Sequence, residues 1–177
     1  RLQRQELPAS SERSVHMIHS EARRMADLLN VMRDLARIDA GKLVVHAEPL
    51  DPGEQLLNAY ESSLTLAQGR VQLPLPGVEP WPALMADSQR LQQCLHELIR
   101  NALLYSSGVV PLQVEPVGDW LVLHVVDQGV GIAAVERSLV LQRFKRGSSS
   151  TGTRGMGIGL PLVDELIFAS GRRAKRR

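Results

Sequence analysis

From Val15 the apolar residues Val15, Ile18, Ala22, Met25, Leu29 and Met32 recur at alternating steps of three and four, while Arg, Glu and Asp fill most positions between them. This heptad seam is satisfied by a long helix with a narrow apolar stripe. Pro8 with Ser10 or Ser11 marks its expected start, and Gly41 in "RIDAGKL" marks its end. One amphipathic helix docked on a core shows the same period. The narrow stripe favours half of a helical hairpin that dimerises, because a globular docking face is wider. The remainder of a 177-residue chain that is 44% hydrophobic suffices for one ordinary core beside this helix.

Beyond Gly41 the pattern breaks into shorter pieces. "KLVVH" reads as a strand, and "DPGEQLLNAYESSLTLAQG" as a helix with Leu56, Leu57, Tyr60 and Leu64 inward. "RVQLPL" and "ALMA" read as strands. "DSQRLQQCLHELIRNALLYSS" is a strong helix with Asp87 as N-cap and a core stripe of Leu91, Leu95, Leu98 and Ala102. The alternating strands "VVPLQVEP" and "DWLVLHVVD" follow, joined by a turn at Val117 and Gly118, then a loop-rich stretch and a last helix, "GLPLVDELIFASG". Strands and helices in this order predict an α+β fold, a two-layer α/β sandwich with a mixed sheet packed on helices.

Composition narrows the function. Aromatic residues make up 3%, too few for a surface that stacks single-stranded nucleic acid. Arg172, Arg173, Lys175, Arg176 and Arg177 account for five positive charges, and removing them takes the formal charge from +2 to −3. The basic end therefore reads as a solvated tail rather than a nucleic-acid face. The single Cys94 has no partner for an internal disulfide or a zinc site, which fits a reducing compartment. No apolar run approaches the roughly 18 residues needed to span a bilayer, so membrane contact is expected only outside this chain.

Three segments carry chemistry. In "CLHELIRNALLYSS", Glu97 and Asn101 are four apart and share a helix face; a carboxylate and an amide oxygen are hard donors suited to Mg²⁺. Alone, the pair reads as a solvated polar face. In "VVDQGVGIA", Asp127 ends a strand before Gly129 and Gly131, where a carboxylate can accept from an exocyclic amine and glycines admit a flat ring. In "LQRFKRGSSSTGTRGMGIGLPLV", Arg143, Lys145, Arg146 and Arg154 precede Gly155, Gly157 and Gly159, which open a helix. Glycines there expose N–H groups at the positive end of the dipole, toward an anion. Neither the dinucleotide fingerprint nor a P-loop fits this spacing.

Together the segments resemble the ATP-binding domain of the sensor histidine kinases of two-component systems, in the superfamily that also holds DNA gyrase and the heat-shock chaperones. "HELIRNALLYSS" is similar to the N box, "DQGVGI" to the G1 box, "LQRFKRG" to the F box and "GMGIGLPLV" to the G2 box. "EARRMADLLNVMRDLARIDAGKLVVHAEPLD" is similar to the second helix of the dimerisation hairpin running into the catalytic domain. The resemblance implies a hairpin portion over 1–41 and an ATP-binding catalytic domain over 42–177. It implies that Asn101 coordinates Mg²⁺ bound to ATP and that Glu97 assists the metal or orients water. Tyr105 would pack near the base or ribose, Asp127 would bind the adenine amino group, and Gly129 and Gly131 would shape the pocket floor. Phe144 would anchor the lid, and Gly155, Gly157, Gly159 and Leu160 would meet the nucleotide, with Lys145, Arg146 and Arg154 neutralising phosphate. It further implies a homodimer, transfer of phosphate to a histidine and then to a response-regulator aspartate, and a cytoplasmic portion of an inner-membrane bacterial sensor.

Three departures stand out. The basic residue often found three after the N-box Asn is here Leu104. His16 and His19 lack the flanking pattern of a phosphoacceptor, which is expected upstream of Arg1. The β-hairpin that usually follows the G2 helix is not evident before "ASGRRAKRR". The first two leave a second reading open, a non-catalytic kinase-like module that regulates another kinase. Glu97 leaves a third, a free-standing ATPase. Cys94 reads as a core thiol, His96 and His124 as structural, and Trp81 and Trp120 as packing residues.

Overall fold

The computed structural model describes residues 9–74, 80–148 and 155–170 and divides the chain into two units, Arg1–Lys42 and Leu43–Arg177. In the first unit, helix α1 spans Ala9–Asp39. It begins at the expected signal, with Ser10 and Ser11 in its first turn; Pro8 lies outside the described residues. Its end follows the glycine signal: Gly41, at φ +63°, lets its N–H reach the Ile38 carbonyl at 2.9 Å and lets the Lys42 N–H reach that of Arg37 at 2.8 Å. The seam residues Val15, Ile18, Met25, Leu29 and Met32 are all more than half exposed.

In the second unit the elements run β1 (Glu48–Leu50), α2 (Pro52–Ala67), β2 (Val71–Gln72), β3 (Leu84–Ala86), α3 (Ser88–Tyr105), β4 (Val110–Val117), β5 (Trp120–Val125) and α4 (Gly159–Ala169), with a 3₁₀ turn at Ala134–Glu136. β2 pairs with β4 in parallel and β4 with β5 antiparallel, a mixed three-stranded sheet; β1 and β3 form a separate antiparallel pair. Leu56, Ala59 and Ala67 of α2, Leu95, Ile99 and Ala102 of α3, and Val71, Val110 and Leu112 of the sheet form the core. Each large side chain among them contributes about 1.5–3 kcal/mol relative to exposure. The expected α+β two-layer architecture is the observed one.

Local details correct the sequence expectations. "KLVVH" is not a strand: the first ladder falls on Glu48–Leu50 because its partner β3 is only three residues long, with Glu48 opposite Ala86. In α2, Leu57 and Leu64 are 42% and 46% exposed. Leu56 is buried and Tyr60 packs on the core as expected, and the rest of the inward face is Gln55, Ala59, Ser63 and Ala67. Gln55 is buried yet satisfied from α3: its side-chain oxygen accepts from Ser88 Oγ at 3.2 Å and Gln92 Nε2 at 2.9 Å. In α3 the fully buried position is Ile99 rather than Leu98, because Cys94 and Glu97 also turn inward and widen the stripe. Val117 pairs with Trp120, so the turn is Gly118–Asp119, with Gly118 at φ +58° in the first position, as a type II′ turn requires. Trp120 is 57% exposed and packs little, whereas Trp81 lies against Gly53 at the start of α2.

Both ends of α3 are secured. Asp87 accepts from the Arg90 N–H at 3.1 Å and from the His46 N–H at 2.9 Å. At the far end Arg70 donates to the carbonyls of Ser106 at 2.6 Å and Leu103 at 3.0 Å, placing a cation at the negative pole of the helix. Among the described residues no helix is long and apolar enough to cross a membrane.

Candidate functional site

The C-terminal half of α3 is the platform. Glu97 is buried, 8% exposed, and its Oε2 accepts from Arg100 Nη2 at 2.5 Å. Gly159, the first residue of α4, lies against the same oxygen, so that a Cβ there would collide with it. The N-cap position of α4, Ile158, offers no side-chain cap. The Glu97 carboxylate thus brings negative charge to the positive end of α4. Asn101 and Tyr105, further along α3, are half-buried.

Asp127 follows the end of β5 and is exposed. Its Oδ1 accepts from the Gly129 N–H at 2.7 Å, which fixes the carboxylate and leaves it acceptor capacity for an incoming amine. A Cβ on Gly129 would sit 2.6 Å from the Tyr105 carbonyl oxygen and 2.7 Å from Asp127 Oδ1, so this close approach requires glycine. The strand end is thereby held against the end of α3. Gly131, at φ +70°, has open space around it.

The third element joins two segments. Phe144 adopts φ +63° and its side chain is 63% exposed; its anchoring is through the backbone, whose N–H donates to the Gly157 carbonyl at 2.8 Å. Gly157, at φ +65°, has the Lys145 carbonyl directly behind its Cα. The position a Cβ on Gly155 would take is 4.0 Å from both Leu104 Cδ2 and Tyr105 Oη. Arg143, grouped by sequence with the loop cations, grips Glu165 of α4 with Nε at 3.0 Å and Nη2 at 2.7 and 2.8 Å. Ser148 donates from its N–H and hydroxyl to Glu136 at 2.9 and 3.1 Å. Lys145 and Arg146 are exposed, and Leu160 is half-buried in the first turn of α4. Arg154 and the basic residues from Arg172 onward lie outside the described residues.

The structure therefore links Glu97 to Gly159, Tyr105 to Gly129 and Gly155, Asp127 to Gly129, and Phe144 and Lys145 to Gly157. It gives no comparable link for Asn101, Gly131 or Leu160. Sequence reading missed Arg100, although its i,i+3 spacing from Glu97 was legible. It also missed the Arg143–Glu165 and Glu136–Ser148 contacts, which join positions far apart in sequence and have no local signature.

Two groups of α3 and its N-cap titrate away from their ordinary values. Burial raises the Cys94 thiol to about 12, with the Glu97 charge adding to the rise and Arg90 opposing it. Burial likewise raises Asp87, but the N–H groups of His46 and Arg90 outweigh it and leave the carboxyl below its ordinary value. Among the described residues, no three His, Cys, Asp or Glu side chains converge on a metal position. Glu97 and Asn101, four apart on α3, are hard oxygen donors of the kind that suit Mg²⁺, and Glu97 is held here by Arg100.

Residues 86–175 match the family model described as histidine kinase-, DNA gyrase B-, and HSP90-like ATPase, and the chain belongs to that family. The circadian input-output histidine kinase CikA of Synechococcus elongatus is 29% identical over 164 residues, covering 89% of this chain and 22% of CikA. The sensor histidine kinase RcsC of Escherichia coli is 29% identical over 174 residues, covering 94% of this chain and 18% of RcsC. The chain thus spans about a fifth of the length of these relatives. The crystal structure of full-length ShkA in complex with AMPPNP superposes with a TM-score of 0.76 at 24% identity, covering 96% of this chain and 36% of ShkA; it shares the fold.

Proposed function

We propose that this chain is the catalytic portion of a two-component sensor histidine kinase, which binds Mg·ATP and transfers the γ-phosphate to a histidine for relay to a response-regulator aspartate. The observation that carries this reading is the convergence of an acidic helix face, a strand-end carboxylate and a glycine turn on the C-terminal half of α3. Asp127, steadied by the Gly129 N–H, accepts from the adenine amino group, and Gly129 and Gly131 make room for the ring. Tyr105 packs near the base or ribose. Gly155, Gly157, Gly159 and Leu160 form the turn beneath the phosphates, with the N–H groups of the first α4 turn facing the anion. Glu97 and Asn101 hold the metal, Phe144 anchors the root of the lid, and Lys145, Arg146 and Arg154 supply positive charge. Catalysis in such a site is mainly positioning and charge neutralisation.

The exposed seam of α1 supports a role for residues 1–41 in a dimerisation hairpin, with the catalytic domain over 42–177. On this reading the chain works as a homodimer in the cytoplasmic portion of an inner-membrane bacterial sensor, with a receiver domain as partner. Calorimetric titration with Mg·ATP tests it: binding in the micromolar to millimolar range that Asn101→Ala and Asp127→Asn abolish is the expected result.

A further inference from the structure

We propose that Arg100 recognises the terminal phosphate of the bound nucleotide, its guanidinium exchanging between Glu97 in the empty site and that phosphate in the filled one; this rests on the ATP-site reading above. Arg100 Nη2 lies 2.5 Å from Glu97 Oε2 and 3.5 Å from the position a Cβ on Gly159 would occupy, so the guanidinium stands at the first turn of α4, where the glycine turn ends. The two partners are unequally held. The Glu97 side chain is 10% exposed and wedged against Gly159, whereas that of Arg100 is 48% exposed. Exchange therefore moves the arginine, which stays in contact with solvent, and not the buried carboxylate.

Two nearby arginines are committed elsewhere. Arg70 is spent on the Leu103 and Ser106 carbonyls, and Arg143 on Glu165. One helical turn beyond Arg100, the position that could also reach Gly155 holds Leu104, 40% exposed and without charge. A guanidinium offers planar paired donors that match a phosphate, and the start of α4 attracts an anion. In the empty site the buried Glu97 fills that anionic role and Arg100 offsets its charge. When phosphate arrives it becomes the stronger, more exposed partner, and a cation already at hand moves onto it. The pair thus keeps like charges, the Glu97 carboxylate and the nucleotide, from meeting unscreened.

The test is calorimetry on the full chain with Mg·ATP and Mg·ADP, comparing wild type, Arg100→Ala and Arg100→Lys. Arg100→Ala is expected to weaken Mg·ATP by about tenfold or more and Mg·ADP by much less, so that the preference for ATP collapses, and Arg100→Lys is expected to restore most of it. Should Arg100→Ala fail to fold with Glu97 left unpaired, Arg100→Gln, whose amide still donates to Glu97, is expected to show the same collapse. An equal loss for both nucleotides, an unchanged Mg·ATP affinity, or a wild type without preference for ATP would each overturn the proposal while leaving the ATP site standing. A wild type that binds neither nucleotide would instead overturn the ATP-site reading, and this inference with it.

Discussion

The backbone N–H of Phe144 donates to the carbonyl of Gly157 at 2.8 Å, and both residues adopt positive φ to make that contact. A non-glycine residue in this region is strained and persists where its surroundings over-determine it. Here the surroundings are Gly157, whose Cα lies against the Lys145 carbonyl, and the Arg143 clamp on Glu165 just before Phe144.

Gly157→Ala is accordingly expected to be costly. A Cβ would meet backbone of Lys145, which cannot swing away, and the left-handed conformation alone penalises alanine by about 1–2 kcal/mol. The variant should show a lower denaturant midpoint with an unchanged slope, and weaker nucleotide binding. Gly131→Ala, equally left-handed but with open space around it, should lose stability by the conformational term alone.

Asp87→Ala removes the N-cap of α3 and leaves the His46 and Arg90 N–H groups without their acceptor. A loss of about 1 kcal/mol is expected from chemical denaturation at neutral pH. Because the folded carboxyl titrates below its ordinary value of 3.8, its contribution is present above that value and fades as pH falls through the folded one. The stability gap between wild type and variant should therefore narrow in acid; a gap constant down to strongly acidic pH would contradict the assignment.

Cys94 is expected to resist thiol reagents at pH 8 in the folded chain and to react readily in denaturant, since the raised pKa of about 12 keeps it protonated behind the core. The sign of the linkage is opposite to that of Asp87. The unfolded thiol ionises near 9.0 while the folded one does not, so stability falls as pH rises from 9.0 toward about 12, and Cys94→Ala should lack that component.

Much of the fold was legible because α3 carries its signals locally: an Asp cap, a helical apolar stripe and a polar face at i,i+4. The Gly41 stop of α1 was legible for the same reason. The inward face of α2 was legible only at Leu56 and Tyr60. Sequence reading weights large apolar residues, whereas the helix turns small ones, Ala59, Ser63 and Ala67, toward its neighbours and leaves Leu57 and Leu64 in solvent. "KLVVH" has strand propensity but no partner strand of matching length, and pairing, not propensity, decides a ladder. Within the site, the glycines and Asp127 stood out by spacing. That Glu97 is already occupied by Arg100, and that Arg143 grips Glu165 of α4, depends on how α3, α4 and the loop pack together.

On the proposed reading, Asp127 accepts from the adenine amino group of Mg·ATP. Calorimetric titration of wild type against Asp127→Asn, with circular dichroism to confirm that both fold, tests it most directly. Micromolar to millimolar binding by wild type and none by the variant is the expected result, because the amide replaces one carboxylate oxygen with a donor that cannot accept from the amine. Equal affinity in the two folded proteins would contradict it.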